Sequence, residues 1–138
     1  MGADSQVESG LKLMPKFDVN GLLPCVTIDA ATQRVLMVGY MNEEALRLTI
    51  STKRATYFTR SRKKIWVKGE SSGHFQEVVE LLVDCDQDCI VLKVNQLGAA
   101  CHTGFPSCFY RRLKPGTEEE LEFLGDEKQF DPAKVYSV

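Results

Sequence analysis

Residues 22–50 read LLPCVTIDAATQRVLMVGYMNEEALRLTI, and this stretch decides the fold. Apolar and β-branched side chains dominate from Leu22 to Ile28 and again from Arg34 to Tyr40, with turn formers from Asp29 to Thr32 between them; this predicts two strands joined as a hairpin. Asn42 then offers a side chain to cap a helix, Glu43 and Glu44 stand where carboxylates favour the helix dipole, and Ala45, Leu46 and Ile50 continue an amphipathic face. That helix should end near Ser51. Further short strands are predicted at Thr56–Thr59, Ile65–Lys68, Gln76–Val83, Ile90–Val94 and Phe109–Leu113, broken by Gly, Ser and Asp. The fold class is α+β, mainly β: short strands in a curved sheet or half-barrel with a few short helices.

Working outward, the 138 residues make room for one domain. Residues 1–14 are polar without sustained periodicity and are expected to be a flexible arm, residues 15–116 the folded domain, and residues 117–138 an acidic tail that forms a short helix or stays extended. With 43% hydrophobic and 26% charged residues the chain can build a core, and a formal charge of −2 argues against the protein as a whole binding a polyanion such as nucleic acid, while leaving room for a local basic patch that does. Its longest apolar stretch, Val35–Met41, is too short for a membrane span, and the N-terminus has no secretory signal, so the cytoplasm is the expected location. Five cysteines, an odd number, point to metal ligation or buried thiols rather than a disulfide framework.

Charge is unevenly placed. Between Lys53 and Lys68 there are seven basic residues and no acid, followed by the Gly- and Ser-rich KGESSGH of Lys68–His74. Fixed cations beside hydroxyls and free backbone N–H groups suit a phosphate. Arg60, Arg62, Lys68, Ser71, Ser72 and His74 are the candidates, with Trp66 available for stacking.

Two clusters have the composition of metal sites. Asp84-Cys85-Asp86-Gln87-Asp88, read as an extended segment, puts three hard carboxylate donors on one face and Cys85, Gln87 and Cys89 on the other, a pattern suited to Mg²⁺, Mn²⁺ or Ca²⁺. An EF-hand is excluded, because Cys89 stands where that loop needs Gly and Asn95 where it needs Glu. The second cluster, CHTGFPSC at Cys101–Cys108, supplies with Cys85 three thiolates and one imidazole, a donor set that selects zinc. All four groups would make a closed structural site; three cysteines plus water, the more natural arrangement given adjacent Cys101 and His102, would leave an open, catalytic one. Cys25 and Cys89 are read as packing residues.

The motifs YMNEEAL (40–46), SRKKIWVKGESSGH (61–74), DCDQD (84–88) and CHTGFPSCFYR (101–111) occur in an order that closely resembles the phosphoribosyl-AMP cyclohydrolase family of histidine biosynthesis, from about Phe17 to Arg112. The resemblance implies Zn²⁺, one per subunit, on Cys85, Cys101 and Cys108; Mg²⁺ on Asp84, Asp86 and Asp88; and an intertwined homodimer with zinc at the subunit interface. It implies hydrolysis of the N1–C6 bond of phosphoribosyl-AMP by a zinc-activated water. His102, beside Cys101 and of a residue type whose free pKa lies near the working pH, is the candidate for proton transfer. Gly39, where the family commonly has Ala, and Cys89, where it often has an aliphatic or small residue, depart from the pattern. Two rival readings are an RNA-binding module using the basic run with Tyr57, Phe58 and Trp66, and a structural-zinc domain closed by Cys85, Cys101, His102 and Cys108.

Overall fold

The computed structural model describes residues 2–135, and it is mostly sheet. Strands β1 (Leu23–Asp29) and β2 (Val35–Met41) form the expected antiparallel hairpin. Helix α1 (Gly2–Ser9) precedes them, in a segment without a periodic signal, and helix α2 (Glu43–Thr52) follows. Asn42 accepts from the Ala45 N–H at 2.8 Å, as its cap position requires, and Lys53 ends the helix in the left-handed region with its N–H on the Thr49 carbonyl. Strands β3 (Thr56–Thr59) and β4 (Lys64–Val67) make a separate hairpin, while β5 (Gln76–Val83) and β6 (Ile90–Gln96) complete a four-stranded sheet in the order β2-β1-β6-β5. The sheet is open: β2 and β5 are its edges, and β1 pairs antiparallel with β2 but parallel with β6.

Alternation puts Leu23, Cys25 and Thr27 of β1 and Ile90, Leu92 and Val94 of β6 on one buried face, covered by Leu46, Ala45 and Tyr57. Tyr57 is tethered inside: its hydroxyl donates to Gln76 Oε1 at 2.6 Å and therefore accepts from Thr27 Oγ1, also at 2.6 Å. The opposite face carries a row in register, Val38–Val26–Val91–Leu82, with Val38 and Leu82 exposed.

Three segments differ from expectation. The six residues 84–89 form a tight turn rather than a strand, because Val83 and Ile90 are paired and the chain must reverse between them. The acidic C-terminal segment contributes strand β8 (Leu121–Phe123), paired with β7 (Arg111–Leu113), and is fastened by Asp126 to Arg34 through two 2.6 Å contacts. The N-terminal segment is tied to the 84–89 turn by Gln87, whose side chain accepts from Met14 N at 2.7 Å and donates to the Val7 carbonyl at 2.9 Å.

Candidate active site

The loop after β6 folds back on itself and is pinned to β2. Gly104 N donates to Cys101 O at 3.0 Å, buried Ser107 gives its hydroxyl proton to Val35 O at 2.7 Å, and Cys108 N donates to Leu36 O at 2.7 Å. This brings Cys101 and Cys108 side by side. Thr103 donates its hydroxyl to the Cys101 sulfur at 2.9 Å. Partial burial, then the adjacent Cys101 sulfur, push the Cys108 thiol up to about 11, against an opposing pull from the Lys68 ammonium. Two adjacent cysteine sulfurs, with a hydroxyl and a cation near them, fit a soft divalent cation that would bind both as thiolates.

A cleft of about 540 Å³ opens beside this pair, lined among others by Arg62, Trp66, Ser71, Ser72, His102 and Cys108. The Ser71–Ser72 loop is closed by Gly73 N on Gly69 O at 2.7 Å, and Gly69 takes a positive φ of 92° in a spot where a Cβ would lie 2.5 Å from the His74 backbone. His102 is exposed at the cleft. Ser61, Lys64 and Glu70 also line it, beyond the residues expected there; Lys64 stands in the basic run, where nothing in the sequence sets it above Arg60 or Lys68.

Other candidates fall elsewhere. Arg60 stacks its guanidinium on the Tyr40 ring at 3.9 Å. The His74 ring packs on Phe130, 4.8 Å between centroids, and its Nδ1 is buried with no hydrogen-bond partner among the described residues. Lys68 lies in the cleft wall, but its Nζ donates inward to the Ala100 carbonyl, and burial lowers its pKa. Trp66 leans on Tyr57 at 5.8 Å. With Tyr57 only 1% exposed, it offers no platform to a stacked base, which removes a main support of the RNA-binding reading.

Asp84, Asp86 and Asp88 converge, one carboxylate oxygen of each lying within 4.8 Å of the others, although they sit on a turn and not on one face of a strand. Asp84 Oδ1 accepts from the N–H groups of Asp88 and Cys89 and so shapes the turn. The neighbouring carboxylates, Asp86 first, push Asp88 up to about 6; at Asp84 desolvation is the largest single influence, but hydrogen bonds from Asp88, the backbone and Asp86 together outweigh it and hold the group low. Three hard donors so disposed fit Mg²⁺.

Cys85 is exposed in the same turn, and among the described residues its sulfur does not gather with those of Cys101 and Cys108 into a group that could hold one ion. Cys108 hangs from edge strand β2, Cys85 from the opposite edge strand β5, and three strand spacings of about 4.8 Å put roughly 14 Å between them across the sheet alone. Two sulfurs sharing a zinc are at most about 4.6 Å apart. Within one chain, therefore, Cys85 cannot join the pair, nor can Cys85, Cys101, His102 and Cys108 close a single structural site.

An α+β frame here gathers a thiol pair, an open imidazole and cationic side chains at one cleft, the side-chain types of an enzyme site that could hold a metal ion. The family model for phosphoribosyl-AMP cyclohydrolase matches residues 37–110. Proteins named phosphoribosyl-AMP cyclohydrolase are similar over nearly the whole chain. That of Nitrobacter hamburgensis is 54% identical over 136 residues, covering 97% of this chain and 92% of its own. That of Rhodopseudomonas palustris strain BisB18 is 56% identical over 133 residues, covering 94% and 90%. The Bradyrhizobium diazoefficiens protein is 52% identical over 132 residues, covering 95% and 94%. The chain belongs to the phosphoribosyl-AMP cyclohydrolase family.

Proposed function

We propose that the protein hydrolyses the N1–C6 bond of the purine ring of 1-(5-phosphoribosyl)-AMP, giving the phosphoribosyl-formimino-aminoimidazole-carboxamide ribotide of L-histidine biosynthesis. The observation that carries this reading is the meeting of Cys108, with Cys101 buried beside it, and His102 with Arg62, Ser71 and Ser72 at one cleft, in a chain of this family. Cys101 and Cys108 would hold zinc together with Cys85 from a second copy of the chain, one ion per subunit in a homodimer, and Asp84, Asp86 and Asp88 would hold Mg²⁺. Zinc bound there supplies the Lewis acidity that readies a water for attack near neutral pH.

The remaining work falls to side chains. The N1-ribosylated adenine is cationic and electrophilic at C6. His102, open to the cleft, takes a proton from the attacking water and returns it to N1 as the N1–C6 bond breaks; the second water proton leaves to solvent as the C6 carbonyl forms, which discharges the cation and puts the water oxygen in the carboxamide. Arg62, Ser71 and Ser72 grip phosphate or ribose oxygens, and Trp66 lines the base side. The roughly 14 Å of sheet between Cys85 and the thiol pair supports the dimer, as does the exposed apolar row on the outer sheet face. The test is to mix zinc-loaded protein with phosphoribosyl-AMP and follow the ultraviolet change as the ring opens. Turnover abolished by a strong chelator and by Cys101→Ala is the expected result; no turnover by folded, zinc-replete protein would reject the reading.

A further inference from the structure

Of the seven cations between Lys53 and Lys68, six are exposed and one, Lys68, is 8% exposed. Its position is fixed from both ends. The backbone N–H donates to Ala55 O at 3.1 Å, and Nζ donates to the carbonyl of fully buried Ala100 at 2.5 Å. The Trp66 ring lies 5.2 Å from Nζ. Among the described residues the Ala100 carbonyl is the one hydrogen-bond acceptor recorded for this ammonium, and no carboxylate forms an ion pair with it. A buried ammonium with one neutral acceptor is costly to keep. The anionic groups within its electrostatic reach are the sulfurs of Cys101 and Cys108, once ionised.

We infer that Lys68 is a positioning residue for the thiol pair rather than a phosphate contact: through Ala100 it fixes the backbone that carries Cys101, and it sets a positive charge behind the two sulfurs. The inference rests on the cyclohydrolase reading only in taking Cys101 and Cys108 as zinc ligands. Two thiolates bring two negative charges into a half-buried wall, and a fixed cation within electrostatic reach of them offsets part of that cost without occupying a ligand position. The Ala100 carbonyl bond does a second job, since Ala100 N is itself bonded to Pro106 O at 3.3 Å and closes the loop that holds both cysteines.

The experiment compares zinc-loaded wild type with Lys68→Met and Lys68→Arg, following zinc transfer to a chromogenic chelator and, separately, kcat and KM. Expected for Lys68→Met are zinc release about 10–100-fold faster and a lowered kcat, with KM within about twofold of wild type; Lys68→Arg, which keeps the charge, should recover most of the zinc retention. Should Lys68→Met not fold, Lys68→Gln, which keeps an N–H for the Ala100 carbonyl but no charge, takes its place with the same expectation. Wild-type zinc retention with a raised KM and unchanged kcat would overturn the inference, because that is the signature of a lost substrate contact. Zinc held equally well by Cys101→Ala would instead refute the ligand assignment beneath it.

Discussion

Replacing Gly39 by Ala sets two effects of opposite sign against each other, and the structure says which wins. Gly39 lies inside β2 with no positive φ, so Ala fits its backbone, and removing the freedom of glycine from the unfolded chain favours folding by about 0.4–1 kcal/mol. A Cβ there, however, would stand 2.6 Å from Cδ1 and 3.0 Å from Cε1 of Tyr57. That ring cannot slide away cheaply. It is 1% exposed, and its hydroxyl is held at 2.6 Å by both Thr27 and Gln76, bonds worth about 0.5–1.5 kcal/mol each. Overpacking of this kind costs about 1–3 kcal/mol, leaving Gly39→Ala less stable by about 1–2 kcal/mol. In urea unfolding, with a slope of about 2 kcal/mol/M, the midpoint should fall by about 0.5–1 M. Tyr57→Phe releases both tethers, so the penalty for Gly39→Ala should shrink in that background, a coupling read from the double-mutant cycle. A Gly39→Ala protein as stable as wild type, or a penalty of the same size with and without the hydroxyl, would refute the tethered-ring account.

Other outcomes are equally direct. His102→Ala should keep its zinc and lose kcat by about 10²–10⁴-fold, as measured by the ring-opening assay beside metal analysis. The Arg34 guanidinium, through its hydrogen bonds, holds Asp126 below the usual carboxylate range. A carboxylate whose folded pKa is depressed adds stability above its unfolded pKa of about 3.9 and loses it as the pH falls through the lower folded value. Melting curves should therefore show wild type ahead of Asp126→Asn at pH 6 and the gap closing below about pH 4. Finally, Cys101→Ala and Cys85→Ala proteins, each inactive alone, should recover about a quarter of wild-type activity after their subunits are mixed, since half the dimers are hybrids with one intact site of two. No recovery after proven exchange would mean that zinc is not shared between copies.

The elements that were legible in the sequence are those whose periodicity and punctuation agree. Strands β1 and β2 alternate around a polar turn, and α2 announces itself through Asn42 and two acids, so these were placed within a residue or two. Strand β8 is hidden because the acids Glu118–Glu120 and Glu122 mask a strand only three residues long, Leu121-Glu122-Phe123, although Pro115-Gly116, with Gly116 at φ 83°, is a turn signal just upstream. The reading of 84–88 failed for a different reason: alternation assigns faces only where the chain is extended, and a turn can gather the same carboxylates by folding around them. At the site, residue types were legible and accessibility was not. Seven cations look alike in a string, yet one is buried behind the thiols. Nor can a string show that Cys85 and Cys108 belong to opposite edges of one sheet.

The parallel ladder between β1 and β6 has a consequence for how the chain becomes folded. Cys25 pairs with Ile90, so the two central strands of the sheet meet across 65 positions of sequence, whereas each is joined to its other neighbour by a local hairpin. Loop-closure entropy must be overcome before that contact rewards it, which points to two hairpins forming early and docking late. On the ribosome, at about 5–20 residues per second, β1 waits roughly 3–13 s for β6 to be made. Through that interval the hairpin bearing Val26 and Val38 presents an unpaired edge, and newly made chains are most exposed to mispairing with one another then.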